Sequence, residues 1–367
     1  MSDARDYQTI LITGGAGFVG SNLAIDLKLR ASGRRVLALD NLHRRGSEAN
    51  LPRLRAAGVE FVHGDIRNPE DLRLEDQLRG EGIDLLLECS AEPSVLAGYG
   101  AAPDYVLNTN LVGTINCLEV ARRHGADVIF LSTSRVYPIS ALGELRTVED
   151  ETRFELTAEQ LLPGASARGV AEDFPLEGAR SLYGATKLCS ELLIQEYGAM
   201  YGVRAIINRC GVLTGPWQMG KVDQGVFALW IAMHYFQREL AYIGWGGEGK
   251  QVRDLLHIDD LADLIDVQLA GFGTHAGRTY NVGGGRECSL SLLETTRLCQ
   301  QLTEHTIPIQ HIDENRPADL KLYITDTSRV SEATGWRPRR SAQETLEAIY
   351  HWIREHETEV RHLWMEE

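Results

Sequence analysis

Tyr183 and Lys187 stand four residues apart in Ser181-Leu182-Tyr183-Gly184-Ala185-Thr186-Lys187, so on a helix they share one face. A phenol that titrates at about 10 is a poor base at neutral pH. A neighbouring ammonium favours its phenolate, and so does a cationic nicotinamide. Lys187 is therefore the natural tuner of Tyr183. Ser132-Thr133-Ser134-Arg135-Val136-Tyr137 offers a third group, because the Thr133 hydroxyl can hydrogen-bond and orient the substrate oxygen that Tyr183 deprotonates. Together the three can move a proton while a hydride travels to an oxidised cofactor. An isolated Tyr-x-x-x-Lys is more often an ordinary surface helix. Its weight here comes from the elements around it.

The first of those elements is Ile10 to Gly20, Ile-Leu-Ile-Thr-Gly-Gly-Ala-Gly-Phe-Val-Gly. A short apolar run meets glycines at 14, 17 and 20, and a helix-compatible segment, Ser21 to Leu29, follows. Strand, glycine turn and helix in that order let backbone N–H groups approach a pyrophosphate at a helix N-terminus, where the macrodipole favours an anion. Gly14, Gly17, Phe18, Val19 and Gly20 are the expected contacts. A second apolar run, Val36 to Leu39, ends in Asp40, 20 residues beyond Gly20. An acidic side chain at that offset accepts hydrogen bonds from the adenosine ribose and repels a 2′-phosphate, which points to NAD over NADP. Arg44 and Arg45 stand close enough to weaken that preference.

Further runs keep the alternation going. Val59 to Val62 leads into His63-Gly64-Asp65-Ile66-Arg67, where Asp65 can bond the adenine amino group while Ile66 covers the ring. Leu85 to Leu87 leads into Cys89-Ser90-Ala91, small enough at Ser90 for backbone to pass close to a ligand. Pro103 to His124 carries Leu107, Leu111, Ile115 and Leu118 at helical spacing, and Val128 to Leu131 and Ala205 to Asn208 complete the strands. Such regular alternation predicts an α/β fold with a doubly wound parallel sheet of Rossmann type, whose ligands sit beyond the carboxyl ends of the strands.

Composition narrows the partners. The 367 residues are 43% hydrophobic, enough for a large core, and 37 basic against 52 acidic residues leave a formal charge of −15. That balance speaks against nucleic acid or an anionic membrane as a general partner, so any phosphate must be held by a local basic site. Six scattered cysteines without C-x-x-C spacing suggest free thiols of a reducing compartment and no zinc site. Neither an apolar leader nor a membrane-length run is present, which makes the cytoplasm the expected location.

With these motifs in hand, the chain resembles the extended short-chain dehydrogenase/reductases, the NAD-dependent nucleotide-sugar epimerases and dehydratases, over essentially its whole length. Their G-x-x-G-x-x-G loop matches Gly14, Gly17 and Gly20; their acidic ribose residue matches Asp40; their aspartate near adenine matches Asp65. Thr133, Tyr183 and Lys187 fall on the family's catalytic Ser/Thr, Tyr and Lys, with Tyr183 and Lys187 also touching the cofactor and Asn41 completing its set. Within that group the chain looks most like the CDP-paratose 2-epimerases. The stretches that carry this are Asp40 to Gly46, His63 to Arg67, Asp223-Gln224-Gly225 and Gly249 to His257. The resemblance implies oxidation at carbon 2 of a CDP-linked dideoxy sugar, reorientation of the keto intermediate, and return of the hydride to the opposite face. It also implies Gln224, Lys250, Arg253 and Arg316 on the substrate, the two arginines as diphosphate clamps, and a homodimer or dimer of dimers.

Several positions depart from the family pattern. Ser134 and Arg135 follow Thr133 where 4,6-dehydratases carry an Asp-Glu pair, so elimination of water is poorly provided for. Arg209-Cys210-Gly211-Val212-Leu213-Thr214-Gly215-Pro216 lacks the Asn and Tyr of the R-x-x-N-x-Y-G-P pattern, and Glu88, Ser90 and Glu92 replace the usual His, Ala and Gln. The expected domains are 1–210 for NAD, with 251–285 returning to it, and a smaller substrate-binding lobe from 211–250 and 286–367. The acid-rich insert 138–182 reads as an excursion over the active-site mouth, either a lid or a solvated loop. A net dehydrogenase or decarboxylase on a nucleotide sugar and a non-catalytic dinucleotide sensor are the competing functional readings.

Overall fold

The computed structural model of the chain describes residues 5–220 and 224–365; Asp223 and the first four residues lie outside the described set. A seven-stranded sheet is built from β1 (Thr9–Thr13), β2 (Arg35–Asp40), β3 (Glu60–His63), β4 (Leu85–Glu88), β5 (Asp127–Thr133), β6 (Ala205–Cys210) and β7 (Thr279–Val282). Their order is β7-β6-β5-β4-β1-β2-β3, and β3, β2, β1, β4 and β5 pair in parallel. The order turns outward in both directions from β1, so the crevice at the β1–β4 switch point is where ligands of such sheets bind. Ile10, Leu11, Ile12 and all of β5 are buried. Helices on both faces explain why these strands read as unbroken apolar runs instead of alternating ones.

Every strand expected from the sequence is present, most of them longer by a residue or two. Helix α1 (Phe18–Arg30) begins three residues earlier than Ser21, because Gly17 in an extended conformation already serves as its cap. The Pro103 to His124 helix is continuous but not uniform. It runs as Asp104–Leu107, a π turn at Asn108–Val112, and α2 (Gly113–His124). Among the described residues no helix is long and apolar enough to cross a membrane.

The chain divides into two compact units. The first comprises Met1–Val136, Leu182–Arg209 and Ala262–Tyr280; the second comprises Tyr137–Ser181, Cys210–Leu261 and Asn281–Glu367. Residues 137–181, expected with the first lobe, thus cluster with the second, which makes the second unit as long as the first. The physical reason is a set of bonds internal to that unit. The Tyr137 hydroxyl donates to Asn281 Oδ1 at 2.7 Å, and Glu172 Oε1 accepts from the Asn281 amide at 2.7 Å. Val170 exchanges backbone bonds with Ile324 and Asp326, and Arg153 reaches Ser289 and Glu294. The insert contains two short hairpins, Thr147–Glu149 with Phe154–Leu156 and Ala165–Ser166 with Gly169–Val170. It is a built part of its unit, not a solvated loop.

Elsewhere in the second unit, strand Val252–His257 pairs with Val212–Thr214, Ser289–Ser291 and Leu322–Tyr323. Helix Val226–Tyr235 is buried along residues 227–232 without a polar face there. Trp230 stacks on Tyr242 with centroids 6.3 Å apart and donates its indole N–H to Thr296, so it belongs to the core.

Candidate active site

The glycine loop is shaped by contacts no side chain would survive. Gly14 has φ +64°, and a Cβ there would lie 2.9 Å from the Cys89 carbonyl and the Ser90 nitrogen. At Gly17 it would approach Gly14 O at 3.1 Å, and at Gly20 it would collide with the same oxygen at 2.1 Å. At Gly15, which the motif does not single out, it would come within 2.6 Å of Ala38 of β2. The first turn of α1, Phe18, Val19 and Gly20, has no side-chain cap and no acidic residue. Its N–H groups are therefore left without a side-chain acceptor, a geometry that suits an anion. Asn50, buried, fixes the loop from behind by donating to Ala16 O at 2.9 Å.

One groove at the carboxyl ends of β1 to β4 is lined by Gly14, Gly17, Asp40, Asn41, Asp65, Ile66 and Ser90. The structure thus brings seven of the expected cofactor residues to a single groove, while Phe18, Val19, Gly20, Tyr183 and Lys187 are not on its lining. Asp40 accepts from the Ala16 amide at 3.1 Å and the Leu42 amide at 2.8 Å. Burial pushes its carboxyl up, and those amides pull it back. Asp65 is held down to about 2, chiefly by Arg67, whose guanidinium lies 2.6 Å away, and then by Asn41. The carboxylate expected to face adenine is thus largely engaged within the protein. Arg67 also lies over the Tyr105 ring at 4.9 Å, and His43 packs on that ring at 4.7 Å. His43, Tyr105 and Thr109 on the same wall were not singled out from sequence. Ile66 has room only because Gly113 of α2 lacks a side chain, since a Cβ there would come within 2.4 Å of it.

Thr133 is the last residue of β5, 6% exposed, and its Oγ1 accepts from the Arg135 amide at 3.1 Å. Tyr183 and Lys187 lie in the first turns of α3 (Leu182–Tyr201), which packs on β5 and on the turn Ser134–Val136. Lys187 is 2% exposed with its ammonium 4.3 Å from the centroid of the Phe130 ring, also in β5. One turn further along α3, Glu191 forms a buried pair with Arg209 at 2.7 Å. The hydroxyl, the phenol and the ammonium therefore belong to one strand end and the helix laid against it.

Asn110 went unnoticed in the sequence and is central to the geometry. Fully buried in the π turn, it accepts from the Glu92 amide at 2.7 Å and donates to the Glu92 carbonyl at 3.0 Å, pinning the segment after β4. Its own carbonyl receives the Ser190 hydroxyl of α3 at 3.2 Å. A polar residue beside the apolar stripe of Leu107, Leu111 and Ile115 was the only available signal.

In the second unit, Arg253 and Arg316 converge on one carboxylate. Arg253 donates to Asp319 at 2.9 Å, and Arg316 donates to its other oxygen at 3.2 Å. Burial pulls the Arg253 guanidinium down. Lys250 is paired with Glu149 at 2.8 Å and Glu248 at 3.0 Å, so its charge is not held apart from the neighbouring acids. Gln224 immediately precedes Gly225, the cap of helix Val226–Tyr235. Among the described residues the six cysteines are free thiols, and no cluster of His, Cys, Asp or Glu could hold a metal.

Comparison with known proteins agrees with this geometry. Residues 10–283 match the NAD dependent epimerase/dehydratase family. The CDP-paratose 2-epimerase of Salmonella typhi is 30% identical over 94% of this chain and 98% of its own. A dTDP-glucose 4,6-dehydratase of Mycobacterium tuberculosis is 29% identical over 95% of this chain and 94% of its own. Among solved structures, a mutant UDP-glucuronic acid 4-epimerase from Bacillus cereus, in complex with a fluorinated UDP-glucuronic acid and NAD, superposes with a TM-score of 0.77 at 25% identity. That similarity covers 95% of this chain and 99% of that one.

Proposed function

The chain belongs to the NAD-dependent epimerase/dehydratase family, and on that footing we propose that it is a nucleotide-sugar epimerase inverting carbon 2 of a CDP-linked dideoxy sugar. The observation that carries this reading is the packing of α3, with Tyr183 and Lys187, against the strand that ends in Thr133. NAD, when bound, supplies a hydride acceptor that is regenerated within the cycle. The Thr133 hydroxyl orients the substrate oxygen, and Tyr183 Oη takes its proton and later returns it. Lys187 favours the phenolate and contacts the cofactor ribose. The glycine loop and the first turn of α1 hold the pyrophosphate, while Asp40 receives the ribose hydroxyls. Arg253 and Arg316, already converging on Asp319, are the clamps for the sugar diphosphate. Ser134 and Arg135 give no acid–base pair after Thr133, which favours epimerisation although dehydratases are among the relatives. Exposed Leu192, Met200 and Tyr201 on α3 support a homodimer.

A panel of CDP-, UDP-, GDP- and dTDP-sugars in deuterated water tests this reading, with stereochemistry and label followed by NMR. The expected product is the 2-epimer of a CDP-sugar, without solvent deuterium and without net NADH. Steady NADH accumulation would instead identify a dehydrogenase, and deuterium beside a carbonyl an enolising route.

Cofactor choice is tested at Asp40. Asp40→Asn keeps the size and removes the charge that repels a 2′-phosphate. The expected outcome in calorimetric titrations is weaker NAD binding by about 10-fold, as for a lost charge-assisted hydrogen bond, and a narrower gap to NADP. An unchanged ratio of the two affinities would take Asp40 off the ribose.

A further inference from the structure

Glu88 ends β4 and is 1% exposed. In the sheet it lies level with Thr13 of β1 and Phe130 of β5, and side chains level with each other on adjacent parallel strands share one face. Its Oε1 accepts from the Thr114 hydroxyl of α2 at 2.6 Å, while Oε2 is buried with no hydrogen-bond donor among the described residues. A carboxylate so placed is costly unless a counter-charge offsets it. A positive charge lies near: the Lys187 ammonium rests on the ring of Phe130, the strand neighbour of Glu88, and its field lowers the Glu88 carboxyl.

The nearby titratable groups are neutral or engaged elsewhere. Cys117 of α2 is fully buried and its thiol is pushed well up, first by burial and then by Glu88, so it stays neutral. Glu191 of α3 is committed to Arg209. Thr13 of β1 and Thr114 of α2 do not titrate in the working range. For Glu88 itself, burial pushes the carboxyl up and Lys187 draws it back.

We propose that Glu88 is a positioning residue that acts through Lys187: its charge anchors the buried ammonium and opposes part of the positive field with which Lys187 favours the Tyr183 phenolate. The inference rests on the reading of Tyr183 as the base. Removing the charge takes away that opposing field, so the phenol becomes more acidic.

The first test is the pH profile of kcat/KM. In Glu88→Gln, which keeps an acceptor for Thr114, the acidic limb should move down by about one pH unit, the scale of a single nearby charge. Glu88→Asp, which retains the charge, should keep the limb in place. A limb that stays put in a folded, NAD-binding Glu88→Gln would overturn the proposal, since a merely structural role alters stability and not this limb. A second readout needs no turnover. In protein labelled at the glutamate δ-carbon, the Glu88 resonance is assigned by its absence in Glu88→Gln, or in Glu88→Asp should the first variant not fold. Its NMR titration midpoint should rise in Lys187→Met, and an unmoved midpoint would again overturn the pairing. If no nucleotide sugar is turned over, the proposed reaction falls while the NMR titration still decides the pairing.

Discussion

Tyr183→Phe is expected to bind NAD as the wild type does and to lose epimerisation by a factor of about 100 to 10,000, the range for a positioned acid–base group. The variant removes one oxygen from a side chain near the start of α3. That helix is fixed by other contacts: Lys187 on Phe130, Glu191 on Arg209, and the Ser190 hydroxyl on the Asn110 carbonyl. The glycine loop lies at β1 and α1, held by Asn50 and by the close approach of Gly15 to Ala38. Loss of the phenol therefore separates chemistry from binding. Calorimetry with NAD and product NMR with the best nucleotide sugar make the comparison. Epimerisation at the wild-type rate would remove Tyr183 from the role of base. Loss of NAD binding together with turnover would mean that the phenol is structural.

The parts of this site that were legible in the sequence are those where chemistry demands one residue type at one spacing. The glycines at 14 and 20 had to be glycines because backbone atoms occupy the space a Cβ would need, and at 17 the fit is tight. Asp40 was read at the end of β2 and lies there, and Tyr183 and Lys187, four residues apart, lie in one helix as the periodicity implied. What stayed hidden depends on the register between distant segments. Asn110 reads as one polar residue near an apolar stripe, yet a π turn directs it to Glu92. His43, Tyr105 and Arg67 come together only after β2, β3 and the following helix are laid side by side. The insert looked like a loop because its hairpin strands are two or three residues long, too short for a periodic signal. Its attachment through Tyr137, Glu172 and Asn281 joins residues more than a hundred positions apart. Glu88 was visible as a departure from a family pattern, but only the β4–β5 register set it beside Phe130, the ring on which Lys187 rests.

Gly20→Ala is expected to abolish measurable NAD binding, although it is the smallest change the genetic code offers at that position. The added methyl would sit 2.1 Å from Gly14 O and 2.9 Å from the Gly15 Cα, both backbone atoms that cannot rotate away. Relief requires the first turn of α1 to move off the loop. The loop cannot follow, because Gly15 is already pressed on Ala38 and its amide donates to Leu39 O at 3.0 Å. Overpacking of this kind costs about 1–3 kcal/mol in stability. The larger effect falls on the ligand, since the N–H groups of that turn act on an anion only when they converge. Gly33→Ala is the matched control, because a Cβ there meets no atom within 4 Å. It should leave both Tm and NAD affinity at wild-type values. NAD binding by Gly20→Ala as tight as that of Gly33→Ala would show that the closeness of loop and helix is a packing feature with no part in holding the cofactor.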